Sequence, residues 1–175
     1  TTRDIFQHHQ IGSAHDLPPR LEYFAHRFDL RLGSADEIAK QRTILPFFYG
    51  LRNPEFANDA IQYLGSQDAA HLKYRLGLLT GKQGGSHPLQ ACPQCIEEDL
   101  KGFNVAYWHL NHQLPGSTIC VKHHTLLMRA KDKTFGFKRF QWVLPDEADY
   151  EETGSVSSDA ISAYLALQKF VEQFF

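Results

Sequence analysis

The chain has 175 residues, 42% of them apolar, 13% aromatic and 22% charged, with a formal net charge of -2. That composition can bury enough apolar surface for one domain, or one domain with a small satellite, and it excludes a disordered tail and a uniformly basic nucleic-acid coat. No run reaches the roughly 18–20 apolar residues of a membrane span, and no basic start leads into an apolar leader with a small-residue cleavage site, so insertion and secretion have no support and a cytoplasmic protein is expected.

In chain order, the first sixteen residues are polar and rich in histidine (His8, His9, His15) and read as loosely structured. Pro18 and Pro19 suit a helix start, followed by the stripe Leu21, Phe24, Ala25, Phe28, with Gly33 as its stop. Ser34-Ala35-Asp36-Glu37 has the spacing of a capping box and predicts a short helix to about Arg42. Ile44 to Tyr49, interrupted by Pro46, reads as a buried connection. Asn53-Pro54-Glu55 opens a further helix, with Phe56, Ala57, Ala60, Ile61 and Leu64 on one face and Gly65 as its end. Ser66 restarts the pattern through Ala69, Leu72 and Leu76, and Thr80 to Pro88 is a glycine-rich loop. Leu126 to Met128 and Thr134 to Leu144 are strand-like. Asp146 to Asp159 is acidic and serine-rich, a solvated linker before a last helix carrying Ile161, Tyr164, Leu165, Val171, Phe174 and Phe175.

Cysteine placement is the sharpest signal. Three cysteines cannot all pair as disulfides, and they stand as Cys92-Pro93-Gln94-Cys95, a spacer of 24 residues, then Cys120 with His123 three positions on. Each half has knuckle spacing, and together they supply four donors for a closed tetrahedral Zn²⁺ site. Two other readings stand beside this one. A redox pair at Cys92 and Cys95 would leave Cys120 and His123 as coincidences and lacks a strand-then-helix surround. Buried, unliganded thiols are the third reading. Tyr107 and Trp108, between the knuckles, are expected to complete the small core that a zinc site needs, the alternative being an exposed aromatic platform for bases.

From the second knuckle onward, Lys122, Arg129, Lys131, Lys133, Lys138 and Arg139 cluster, with Asp132 the one acid among Arg129 to Arg139. Phosphate backbones favour such a run interleaved with Phe135, Phe137 and Phe140, and so does the solvated face of a half-buried strand. The expected architecture is α-rich (α+β): a helical layer over residues 1–88, a zinc-knuckle subdomain with a few short strands over 89–145, and an acidic linker with a C-terminal helix over 146–175.

The filled spacer carries a resemblance. Cys-Pro-x-Cys followed by Glu98-Asp99, then Tyr107-Trp108-His109, then His112-Gln113-Leu114-Pro115-Gly116, then Ile119-Cys120 through His123-His124 to Leu127, is similar to the TniQ/TnsD family of transposon target-selection proteins. A weaker echo reaches back through Leu45-Pro46-Phe47-Phe48 and His71-Leu72 to Gly77. The resemblance implies a non-enzymatic protein that binds target DNA, or an RNA-guided DNA-binding complex, and recruits the AAA+ ATPase that activates a transposase. It implies structural zinc on Cys92, Cys95, Cys120 and His123, gives His124 no ligand role, and implies a bacterial protein that acts on the nucleoid. The family's opening segment is absent before Thr1, and its further DNA-reading helices are absent after Phe175, so the chain is expected to be part of a longer protein.

Enzyme readings fare worse. An HNH-type nuclease needs a later Asn and His, and no His follows His124 and no Asn follows Asn111. A zinc deaminase needs His-x-Glu upstream of its cysteines, which neither His71 nor His87 begins. The rival of a different class is a zinc-stapled protein-interaction adaptor with no direct DNA contact.

Overall fold

The computed structural model describes residues 2–7, 17–49, 54–66, 74, 89–131, 142–152, 154 and 156–173. The chain divides into two compact units, Thr1–Ser86 (with Phe175) and His87–Phe174. In both, most of the described secondary structure is helical.

The first unit contains helices α1 (Thr2–Phe6), α2 (Leu21–Arg27), α3 (Ala35–Gln41), α4 (Leu45–Tyr49) and α5 (Pro54–Gly65). The chain start is thus helical where a loose segment was expected. Its anchor is Phe6, buried and stacked on Phe24 with ring centroids 5.0 Å apart. Helix α2 stops well before Gly33, because Asp29 and Leu30 adopt left-handed φ of 51° and 57°, which no right-handed helix can include. Helix α3 begins with the capping box as read: Ser34 Oγ accepts the Glu37 N–H at 3.3 Å, and the Glu37 carboxylate accepts the Ser34 N–H at 2.8 Å. Those bonds, backbone first, hold the Glu37 pKa below the usual carboxylate value. The Ile44 to Tyr49 stretch contains a short helix, since Pro46 falls in its first turn, where a missing N–H costs nothing. Thr43 joins it to α3 by donating to Ala39 O at 2.7 Å and accepting the Leu45 N–H at 3.1 Å. Leu21, Ile38, Ile44, Leu45 and Leu64 fill the core. The expected helix after Ser66 and the Thr80 to Pro88 loop lie outside the described residues, apart from Ser66 itself.

The second unit runs β1 (Gln90–Ala91), α6 (Pro93–Phe103), a 3-10 turn (Leu110–Gln113), β2 (Met128–Arg129) and α7 (Ser158–Glu172). Strands β1 and β2 pair antiparallel, Gln90 opposite Arg129 and Ala91 opposite Met128. Isolated bridges join Ile119 to Leu126 and Ala130 to Tyr150. Of the strand-like stretch Thr134 to Leu144, residues 134–141 lie outside the described residues, and 142–144 form no strand.

The acidic stretch is not simply a solvated linker. Lys131 N–H donates to Asp149 O at 2.7 Å and Glu151 N–H to Arg129 O at 2.9 Å, so 149–151 lies alongside β2 as an extended partner. Tyr150 fastens it by donating its hydroxyl to Pro145 O at 2.6 Å; burial, then Asp146, pushes that phenol above its ordinary pKa. Ser157 caps α7, which buries Gln168 and Val171 and leaves Leu167 and Phe170 exposed. Among the described residues no helix is long and apolar enough to cross a membrane.

Candidate metal centre

The first knuckle is the start of α6. Cys92 is the N-cap, Pro93 opens the helix and Cys95 lies in its first turn, so the two sulfurs fall together at the helix N-terminus. The second knuckle is a tight hairpin. Cys120 N–H donates to Thr125 O at 2.8 Å, and His124 N–H to Cys120 O at 2.8 Å. His124 makes the return with a left-handed φ of 54°, an exposed backbone pivot.

Cys92, Cys95, Cys120 and His123 converge, every ligand atom within 4.8 Å of the others. His123 Nδ1 lies 3.4 Å from Cys92 Sγ, 3.4 Å from Cys95 Sγ and 3.6 Å from Cys120 Sγ, and the Cys95 and Cys120 sulfurs are 3.7 Å apart. Zinc bond lengths of ~2.3 Å to sulfur and ~2.05 Å to nitrogen give a regular tetrahedron with S···S edges of about 3.8 Å and S···N edges of about 3.5 Å. The four distances match that shape, and the donor set suits zinc. All three cysteines are free and buried, which leaves no disulfide between Cys92 and Cys95.

The electrostatics of the cluster suit a cation. With no metal charge, the hydrogen bond to Cys120 and then burial raise the Cys92 thiol far above its ordinary pKa, while burial and then the charge on Cys120 push Cys95 up to about 12. Cys120 is lowered, first by its hydrogen bond from Cys92 and then by His112. Crowding three buried thiols thus opposes their ionising together. A divalent ion removes that conflict.

The surrounding residues build the frame. Gln113 clamps β1: its Oε1 accepts the Gln90 N–H at 2.9 Å and its Nε2 donates to Gln90 O at 2.7 Å and His109 O at 3.0 Å. A side-chain amide thus substitutes for a neighbouring strand just before Cys92. Pro115-Gly116 makes a turn, closed by Ser117 N–H to Leu114 O at 2.9 Å, in which Gly116 takes φ of 88°. Ser117 in turn receives Gln168 Nε2 from α7 at 3.0 Å. His112, buried beside Cys120, leaves its Nδ1 without a hydrogen-bond partner among the described residues.

Asp99 is buried and accepts His109 Nε2 at 2.9 Å and the Tyr107 N–H at 3.4 Å. This brings the Tyr107 ring parallel to His109 at 4.4 Å but leaves it 48% exposed, so Tyr107 does not complete the core as expected. Trp108 is half-buried and donates from Nε1 to Val143 O at 2.8 Å.

Three of the six candidate phosphate contacts are described. Lys122 donates to Glu98 at 2.5 Å, Lys131 lies 3.9 Å from Asp149, and Arg129 lines a shallow cavity with Glu151 and Glu152. Lys133, Lys138 and Arg139 lie outside the described residues. Sequence reasoning missed the roles of Glu98, Asp99, His112 and Gln113. They were visible only as parts of the family motif, because their partners, from eight to more than twenty residues away, follow no helical or strand repeat.

The TniQ family model matches residues 2–127, about three-quarters of the chain and both knuckles. The chain belongs to the TniQ family. A curated relative, the transposon Tn7 transposition protein TnsD of Escherichia coli, is 21% identical over 168 residues, covering 93% of this chain and 33% of that protein. The chain therefore spans a third of that relative's length. The resemblance was densest from Cys92 to Leu127, whereas the TniQ match also takes in the helices of the first unit.

Proposed function

We propose that this chain serves in transposition target-site selection, holding a target DNA or a DNA-bound guide complex and recruiting the AAA+ ATPase that regulates the transposase. The family match across both knuckles carries this reading. The bacterial cytoplasm, on the nucleoid, is its place of action. Zinc would be held by Cys92, Cys95, Cys120 and His123 and would pin two distant segments at one point. Four protein donors leave such a site closed to substrate, so its role is structural and the chain works by binding.

One observation favours a second reading, a protein-interaction adaptor without direct DNA contact. Lys122 pairs with Glu98, Lys131 lies 3.9 Å from Asp149, and Arg129 shares a cavity wall with Glu151 and Glu152, so acids stand near the cations that phosphates would need.

The test is directed insertion with the full-length protein, its transposase and its ATPase. Cys120→Ala is expected to lose bound zinc and directed insertion together. Directed insertion at the wild-type level by a zinc-free Cys120→Ala protein would refute the structural role of the metal. No directed insertion by the wild-type protein in the complete system would refute target selection.

A further inference from the structure

His123 uses both ring nitrogens. Nδ1 faces the three sulfurs, and Nε2 lies 3.2 Å from Glu98 Oε1. A neutral imidazole that offers a lone pair at Nδ1 carries its proton at Nε2. An acceptor at Nε2 selects that tautomer, fixes the ring plane and raises the electron density at Nδ1.

Glu98 reaches that position because of where it sits on α6. It follows Cys95 by three residues, close to one helical turn, so the helix that supplies two sulfurs also supplies the carboxylate for the fourth donor. Its other oxygen, Oε2, accepts Lys122 Nζ at 2.5 Å, and Lys122 immediately precedes His123 in the hairpin. The neighbouring acids do other work: Glu97 lies 3.7 Å from Lys101 on its own helix, and Asp99 turns inward to His109.

We propose that Glu98 is a positioning residue of the metal centre: its carboxylate holds His123 in the tautomer and orientation that present Nδ1 to the metal, and Lys122 steadies that carboxylate from outside. This rests on the reading of the four-residue cluster as a zinc site. It makes Glu98 part of the site, although it donates no ligand atom. It also gives Lys122 an occupation other than a DNA phosphate.

The experiment compares the full chain with Glu98→Ala, Glu98→Gln and Lys122→Ala. Zinc affinity is measured by competition with a chromophoric chelator, and the His123 ring by long-range ¹H–¹⁵N correlation of the zinc form. Removing an outer-shell carboxylate typically weakens metal binding by about 10–100-fold. Glu98→Ala is expected in that range, with the Nε2–H signal broadened by exchange. Glu98→Gln, whose amide oxygen still accepts the Nε2 proton, is expected between wild type and Glu98→Ala with a sharp signal. Lys122→Ala is expected within a few-fold of wild type.

Equal affinity and spectra in wild type and Glu98→Ala would overturn the proposal. So would a loss in Lys122→Ala as large as that in Glu98→Ala, since the contact would then be an ion pair between two segments and no more. If Glu98→Ala does not fold, Glu98→Gln decides: the sharp Nε2–H signal supports the proposal, and its loss overturns it. A wild-type chain that takes up no zinc fails at the metal reading itself, which is a separate result.

Discussion

Replacing Gln113 with alanine tests whether one side chain holds the approach to the first knuckle. The amide makes three hydrogen bonds, two to the main chain of Gln90 and one to His109 O. At roughly 1 kcal/mol net for each, and with the half-buried Gln90 groups partly recovering water, the loss is about 2–3 kcal/mol. For a unit of this size that corresponds to a fall in Tm of roughly 10–20 °C. If metal binding and folding of the unit are coupled, the same loss weakens apparent zinc affinity by about 30–150-fold. Both tryptophans, Trp108 and Trp142, belong to the second unit, so their fluorescence follows its unfolding, while chelator competition reads the affinity. Gln113→Glu sharpens the test. A carboxylate can accept the Gln90 N–H but cannot donate to either carbonyl, and it brings charge against two acceptors. It should be at least as damaging as alanine. Wild-type Tm and zinc affinity in Gln113→Glu would refute the clamp.

Zinc affinity should rise with pH. Below the raised Cys92 and Cys95 pKa values both thiols are protonated in the metal-free cluster, and both must lose a proton to bind metal. Two protons released correspond to about 100-fold in affinity per pH unit between pH 6 and 8. Titration calorimetry in buffers of different ionisation enthalpy counts them, and fewer than one proton per zinc would contradict the reading. A second expectation concerns the basic run. Neutralising Arg129 and Lys131 together should flatten the salt dependence of DNA binding by less than one unit in the full-length protein, because Asp149 pairs with Lys131 and Arg129 shares its cavity with Glu151 and Glu152. Flattening near two units, at about 0.9 per phosphate contact, would restore the run as a DNA surface.

The parts of the fold legible in the sequence depend on short spacing. The capping box at Ser34 and Glu37, the apolar face of α5 and the two knuckles all place cooperating residues within one or two turns. The missed parts depend on partners that periodicity cannot connect. Phe6 is held by Phe24 beyond a segment of polar and histidine residues, so α1 left no local trace. Helix α2 had a convincing stripe through Phe28, yet the left-handed turn at Asp29 and Leu30 ended it before the glycine. Glu98 meets His123 and Gln113 meets Gln90 across more than twenty residues, and polar side chains that serve main-chain or imidazole atoms follow no repeat. Tyr107 read as core because it is aromatic; a buried carboxylate decided its place instead.

The pairing of Gln90 with Arg129 has a mechanical consequence. The chain enters the knuckle region along β1 and leaves it along β2, at adjacent points. Once a metal joins Cys92 and Cys95 to Cys120 and His123, a pull on the two ends is borne by that cross-link and the short strand pair. The residues between the knuckles, including the 3-10 turn and the Pro-Gly turn, form a loop closed by that joint and tied to the chain beyond β2 by hydrogen bonds such as Gln168 to Ser117 and Trp108 to Val143. Those bonds are the weaker links, so under load they yield first and the metal joint is the last tie to hold the loop closed.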